Sequence, residues 1–282
     1  MVAIRISFKT SPQRVDWSTL DATWRLAGEQ GGWDGAWIND HLTDMDPAVP
    51  GPSLEAIALL ATLVHHVPGV RVGHAVLSNT FRHPVLVAKA ATVLDHVTRG
   101  SFVLGLGAGW FEEEHRQYGL ALPPLGERMK RLEEACRILT ALWTEPRATF
   151  EGVYYQVRDA YHEPKPVQRP HPPLVIGTSG ERVGLRIAAR HAQTWNMARA
   201  TPDEFGKKSA LLDAYCREIG RDPAEIERSI QFLPDAMTGD VVARGREFIA
   251  AGATHLIFSC PTPYSAAGAR ALWEDVVTKL RA

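Results

Sequence analysis

Apolar positions along the chain fall into eight short runs separated by amphipathic stretches. VAIRISF (2–8), WDGAWIN (33–39), VRVGHAVLS (70–78), FVLGLGAG (102–109), PLVIGT (173–178), TWNMA (194–198), SIQFLPDAM (229–237) and HLIFSC (255–260) read as strands. Most are continuously apolar rather than alternating, as strands covered on both faces are. Helix-period segments lie between them. DWSTLDATWRLAGEQGG starts at Asp16 as a side-chain cap and ends at Gly31 and Gly32. A loop with Pro47, Pro50 and Pro52 precedes a helix expected to take Ser53 as its cap. The next helix starts near His83-Pro84, and Leu86, Ala90, Val93, Leu94 and Val97 are spaced to share one face. After the fourth strand comes a longer connection. It holds a helix with Leu132, Ala135, Leu139 and Leu142 on one face and a segment, TFEGVYYQV, that reads as a hairpin. GERVGLRIAARHA, a helix capped at Thr201-Pro202, VVARGREFIAAGA and a final helix through Leu272, Trp273, Val276, Val277 and Leu280 complete the pattern.

Eight strands, each followed by a helix, predict an α/β fold, a single (β/α)8 TIM barrel with an insertion after strand 4. No linker, low-complexity segment or charge run divides the chain, so residues 1–282 are expected to form one domain. A hydrophobic content of 45% over 282 residues supports a large core. The formal net charge of −1 points away from nucleic acid or an anionic membrane surface as partner. No apolar stretch reaches the length of a membrane span, and MVAIRISFKT lacks a signal-peptide pattern, so a cytoplasmic protein is expected. Cys136, Cys216 and Cys260 form no CxxC pair and read as reduced thiols packed in the interior.

Barrel enzymes carry their chemistry at the C-terminal strand ends. Gly105, Gly107 and Gly109 lie at such an end, but a GxGxxG fingerprint would need Gly at 110, where Trp110 stands. No GxxxxGK[ST] occurs either. The glycines either ease strand packing or clear space for a ligand. After strand 2 comes Asn39-Asp40-His41, either a solvated turn or an acid beside an imidazole fit for proton transfer. After strand 5 comes GTSGER (177–182), either a helix cap or an anion site at a helix N-terminus. The eleven His residues show no HxH after strand 1, and Glu112 with His115 forms only one copy of an ExxH spacing, so no metal is expected. No GxSxG elbow supports nucleophilic hydrolysis.

WDGAWINDHL (33–42), the block from Asn79 to Gly119, PPLGERMKRLEEACRILTALWTEPRATFEGVYYQV (123–157), the block 163–196 and AGATHLIF (251–258) together carry a resemblance. The chain resembles the bacterial luciferase-like monooxygenase superfamily, in its branch that uses the deazaflavin coenzyme F420. The resemblance implies a flavin-type cofactor at the C-terminal mouth, ring deep in the barrel and phosphate-bearing side chain towards the loops after strands 4 and 5. Carried over, Gly107, Ala108 and Gly109, with Gly177, Thr178, Ser179, Gly180 and Glu181, would hold that side chain. Asp40 and His41 match the pair beside the ring or substrate. HAVLSNTFR (74–82) matches a segment with a non-prolyl cis peptide behind the ring, which places that bond at Ala75–Val76, with Ser78 close by. Deazaflavin sugar-phosphate dehydrogenases of this fold have Glu where Trp110 stands and Trp where Met45 stands, so sugar-phosphate oxidation is not expected. Trp110 suits an apolar or planar substrate.

The resemblance implies hydride transfer between F420 and a small organic substrate, with His41 handling the proton and Asp40 orienting it. Arg82, Arg116, Arg182 and Lys165 are candidates to meet the anionic tail of that coenzyme. Alternatives are an FMN or FMNH2 monooxygenase working with a separate reductase, a flavin-binding barrel without turnover, and a metallohydrolase. A homodimer is expected, since relatives often pair through barrel helices.

Overall fold

The computed structural model describes residues 3–45 and 51–282; Val2, Pro47 and Pro50 lie outside them. Eleven strands are present among the described residues: β1 (Arg5–Thr10), β2 (Gly35–Ile38), β3 (Arg71–His74), β4 (Leu77–Ser78), β5 (Phe102–Gly107), β6 (Ala148–Glu151), β7 (Gln156–Ala160), β8 (Leu174–Gly177), β9 (Thr194–Ala198), β10 (Glu227–Phe232) and β11 (His255–Ser259). The helices are α1 (Trp17–Gln30), α2 (Ala56–Leu63), α3 (Pro84–Val97), α4 (Glu112–Gln117), α5 (Leu125–Thr144), α6 (Gly184–His191), α7 (Pro202–Glu218), α8 (Val241–Ala250), α9 (Ala266–Leu272) and α10 (Thr278–Arg281).

All barrel pairings are parallel, and the sheet closes because β1 pairs with both β2 and β11 while β3 pairs with β5. The eight predicted strands are all present, the third being split into β3 and β4 around a cis Ala75–Val76 peptide. The hairpin of the insertion is β6–β7, antiparallel and outside the barrel. SIQFLPDAM stops being a strand at Phe232, because Pro234 cannot donate to a ladder and starts a short 3-10 turn.

Local chemistry fixes several helix starts. Asp16 accepts from Thr19 N, and Thr201 with Glu204 forms a capping box. The Ser53 cap is a correction: Glu55 caps α2 by accepting from Ala58 N, and Ser53 Oγ instead donates to the His41 carbonyl at 2.8 Å. The face expected of α3 is also corrected. Leu94 is buried, but Leu86, Val93 and Val97 are exposed, and Val87, Ala88, Ala91, Thr92 and Asp95 face inward. Hydrogen bonding decides this rotation. Buried Asp95 accepts from Val167 N, Gln168 N and Gln168 Nε2, and Thr92 Oγ1 meets His162 Nε2 at 2.9 Å. Turning α3 to bury Leu86 would leave these groups unpaired, at about 1–3 kcal/mol each.

Candidate active site

Alternation along the strands sends every second side chain into the barrel. Trp37, Ala75, Val103, Val175 and Ile257 pack there with Val76 as a small apolar cluster separate from the core under the helices. On the β9–β10–β11–β1 side polar groups join Ile257 in the interior, with Asn196, Gln231, Ser259 and Lys9 all buried. The mouth therefore has an apolar half and a polar half.

Asp40 and His41 follow β2 into this mouth, but they do not work on each other. Buried Asp40 receives Arg82 in a fork, Nη1 to Oδ2 at 2.7 Å and Nη2 to Oδ1 at 2.9 Å, and accepts from Ser78 N at 2.9 Å. Arg82 is held again by Glu55. The orienting group for His41 is Glu114, buried on α4, whose carboxylate lies 3.1 Å from His41 Nδ1 and accepts Leu42 N at 3.0 Å. A carboxylate only accepts, so Nδ1 carries a proton and Nε2 is left to accept one. The expectation that Asp40 orients His41 is thus overturned: the Arg82 fork has taken both Asp40 oxygens. Trp110, 63% exposed, and Phe111 stand edge-on to the imidazole at 5.8 and 6.2 Å between centroids. Met45 is likewise exposed at 42%.

The strand-end glycines have a specific neighbour. A Cβ on Gly107 or Gly177 would come within 2.9 Å of Val76 Cγ2, and one on Gly105 would overlap the His74 carbonyl and reach Val76 Cγ1 at 3.1 Å. These glycines form a socket that lets Val76 project from the cis bulge between β3 and β4. Gly109 has φ +79°, and a Cβ there would meet Thr80 Oγ1 at 2.6 Å and Ser78 Oγ at 2.7 Å. Its left-handed backbone lets the loop close over a hydroxyl chain. Ser78 Oγ and Thr80 Oγ1 are 2.7 Å apart, Thr80 Oγ1 meets His115 Nε2 at 2.7 Å, and His115 Nδ1 donates to the Phe111 carbonyl at 2.6 Å. That chain fixes the loop bearing Trp110 and the helix α4 that carries Glu114. His115 is therefore a strut, and Glu112 is exposed on the surface.

After β8, Gly180 N donates to Thr178 Oγ1 at 3.2 Å, and the Ser179 carbonyl accepts Lys208 Nζ at 2.9 Å. Thr178 N and its carbonyl are tied to Asn196 and Trp195. Val183, not Ser179 or Thr178, precedes α6, and no side chain caps it. Ser179, Gly180 and Glu181 are exposed at the rim, and half-buried Ala108 packs on the core below it. Three of the four candidate tail ligands are engaged elsewhere: Arg82 with Asp40, Arg116 with Glu113, and Lys165 with the Leu142 and Glu145 carbonyls.

At the opposite end of the barrel, Ser7 Oγ, His255 and Glu227 form a line with 2.7 and 3.1 Å spacings. Ser7 is fully buried, so no substrate reaches it; the line holds the barrel foot, where Glu227 also takes Arg5, Arg71 and Thr194. All three cysteines are free and buried, and burial pushes the Cys136 and Cys260 thiols up to about 12. Among the described residues no group of three or more His, Cys, Asp or Glu is placed to hold a metal, and no helix is long and apolar enough to cross a membrane.

Sequence reading missed Glu114 and Lys9. The signal for Glu114 was present: in EEEHRQ only one acid in three can face the core of a short helix. The signal for Lys9 was the alternation of RISFKT, in which Ser7 and Lys9 share the face opposite Ile6 and Phe8.

A family model described as luciferase-like monooxygenase matches residues 5–271. The F420-dependent glucose-6-phosphate dehydrogenase of Microbacterium testaceum (strain StLB037) is 31% identical over 242 residues, covering 83% of this chain and 70% of that protein. The FMNH(2)-dependent dimethylsulfone monooxygenase of Pseudomonas putida is 29% identical over 169 residues, covering 57% of this chain and 46% of that protein. Among solved structures, an F420-dependent secondary alcohol dehydrogenase in complex with an F420-acetone adduct superposes with a TM-score of 0.84 at 18% identity, covering 99% of this chain and 100% of that one.

Proposed function

Because this chain belongs to the luciferase-like monooxygenase family, we propose that it is an oxidoreductase moving a hydride between coenzyme F420 and a small organic substrate. The relatives named for F420 support the choice of cofactor. The residues present suit a planar ring with a phosphate-bearing chain. Val76, projected by its glycine socket, offers an apolar floor, and the exposed 179–181 rim offers backbone groups near a helix N-terminus. When bound, the deazaflavin supplies a hydride acceptor or donor carbon.

The observation that carries the reading is the His41–Glu114 pair. Glu114 holds the Nδ1 proton, so Nε2 accepts a proton from a substrate hydroxyl in the oxidative direction and returns it in the reductive one. Trp110 walls one side of that imidazole and suits a planar or apolar substrate. Several relatives are named glucose-6-phosphate dehydrogenases; with Trp110 and Met45 at this mouth, we take the substrate of this chain to be something other than a sugar phosphate. The test is a fluorescence-quenching titration of F420 against FMN, followed by a substrate screen. Tighter F420 binding, turnover of small alcohols or ketones and none of glucose-6-phosphate are expected. Preference for FMN reverses the assignment in favour of an FMNH2 monooxygenase with a separate reductase, the activity named for the Pseudomonas relative. His41→Ala is expected to lower kcat by about 10²–10⁴ with cofactor affinity unchanged.

The same reading takes the chain as one functional unit working in the cytoplasm as a homodimer. Leu86, Val93 and Val97, exposed together along α3, support a self-contact there.

A further inference from the structure

One buried cation has no part in the chemistry above. Lys9 lies on the inner face of β1, level with Trp37 of β2 and Ser259 of β11, and is 8% exposed. Its Nζ donates to Gln231 Oε1 at 2.6 Å. Gln231 Nε2 donates to Asn196 Oδ1, Asn196 Nδ2 to Ser229 Oγ at 2.7 Å, and Ser229 Oγ to the Trp195 carbonyl at 3.1 Å. Each group in this relay is committed in one direction, so the ammonium is fixed in place. An ammonium carries three donors, and Gln231 uses one. Among the described residues no carboxylate reaches Lys9; the charge acting on it is Arg199, of the same sign. Burial first, and Arg199 second, bring the Lys9 pKa down to about 8.

Buried charges are normally paired, and an unpaired one costs stability that an apolar residue would not. A lysine held this way implies a counter-charge brought by a ligand. Its place says which part of the ligand. In the closed barrel β1 lies across from β8, whose Gly177 receives Val76. A planar group resting on Val76 would extend its far edge towards Lys9.

We propose that Lys9 provides the counter-charge for the pyrimidinedione edge of the cofactor ring, the imide edge that deazaflavins and flavins share and that gains negative charge on reduction. The proposal rests on the reading of the mouth as a flavin-type site. An oxyanion on the substrate is the other source of the same chemistry.

The test compares wild type, Lys9→Met and Lys9→Arg. Each is titrated with F420 and FMN, oxidised and reduced, under anaerobic conditions, and each is melted without ligand. Lys9→Met is expected to bind the reduced ring about tenfold or more weakly, as for loss of one charge-assisted contact, and the oxidised ring with a smaller loss. Lys9→Arg should keep most of the affinity. Lys9→Met should melt at or above the wild-type temperature, because an unpaired buried charge has been removed. Wild-type affinity of Lys9→Met for the reduced ring overturns the proposal, and so does an unchanged ring affinity with a raised substrate KM, which moves the contact to the substrate. A lowered melting temperature with equal losses for both redox forms also overturns it, leaving Lys9 a structural strut. If wild type binds FMN alone and Lys9→Met weakens it in this pattern, the Lys9 assignment stands and the deazaflavin reading falls; binding of neither removes both.

Discussion

Asp40 and His41 are neighbours in sequence with separate work. Asp40 neutralises Arg82 out of water, and His41 is set by Glu114 from another helix. Variants separate the two roles. Glu114→Gln frees the imidazole to take the wrong tautomer, so kcat should fall by about 10²-fold or more with cofactor affinity unchanged, as steady-state kinetics and titration would show. Asp40→Asn leaves Arg82 buried without its main counter-ion and should cost about 3 kcal/mol of stability, read as a lower midpoint in urea. If Asp40→Asn instead spared stability and abolished only turnover, the division of labour would be wrong. Adjacency in the chain suggested that the acid served the imidazole. It could not show that each would find a nearer partner more than 40 residues away.

The cis bulge of β3 and β4 and the glycines of β5 and β8 are one packing unit. Gly177→Ala collides only with the Val76 side chain, so it should destabilise by about 1–3 kcal/mol and be rescued when combined with Val76→Ala. Gly105→Ala collides with the His74 backbone, so Val76→Ala should leave it unrescued. Thermal melts of the single and double variants check both statements. The helix α3 makes the opposite point about pattern. Its apolar spacing named the outer face, because Asp95 and Thr92 had to turn inward to satisfy the 162–168 segment. Leu86→Glu combined with Val93→Lys should convert a dimer to a monomer in sedimentation without loss of helix content. An unchanged mass would remove α3 as the self-contact.

Across the whole molecule, acid stability depends on groups that the fold keeps from protonating. Burial lowers the His74 pKa to about 4, against about 6.5 in an unfolded chain. A depressed folded value means stability that is complete above pH 6.5 and lost as pH falls towards 4, about 3 kcal/mol in all for this fully buried ring. Glu227 extends the decline below its unfolded value near 4.5. Burial alone would raise its pKa, but His255, Arg71 and Arg5 hold it well below the usual carboxylate range. Melting temperatures between pH 7.5 and 4.5 should therefore fall, and the slope between 6.5 and 4.5 should be shallower in His74→Gln. An equal slope in that variant would exclude His74 as the group responsible.

The sequence by itself determined the eight strands, the barrel, the insertion after the fourth strand and the place of Asp40 and His41 at the end of the second strand, because buried parallel strands and capped helices leave period and composition in the chain. It also marked Ala75–Val76, through its likeness to a family. Only the tertiary structure decided which groups meet. Glu114 reaches His41, Arg82 reaches Asp40, Lys9 joins Gln231 and Asn196, and the glycines of FVLGLGAG clear room for Val76. The hydrogen-bonded pairs among these join residues 35 to 222 positions apart. Closing the barrel brings such residues within hydrogen-bond reach, and no local pattern records which of several partners will be nearest.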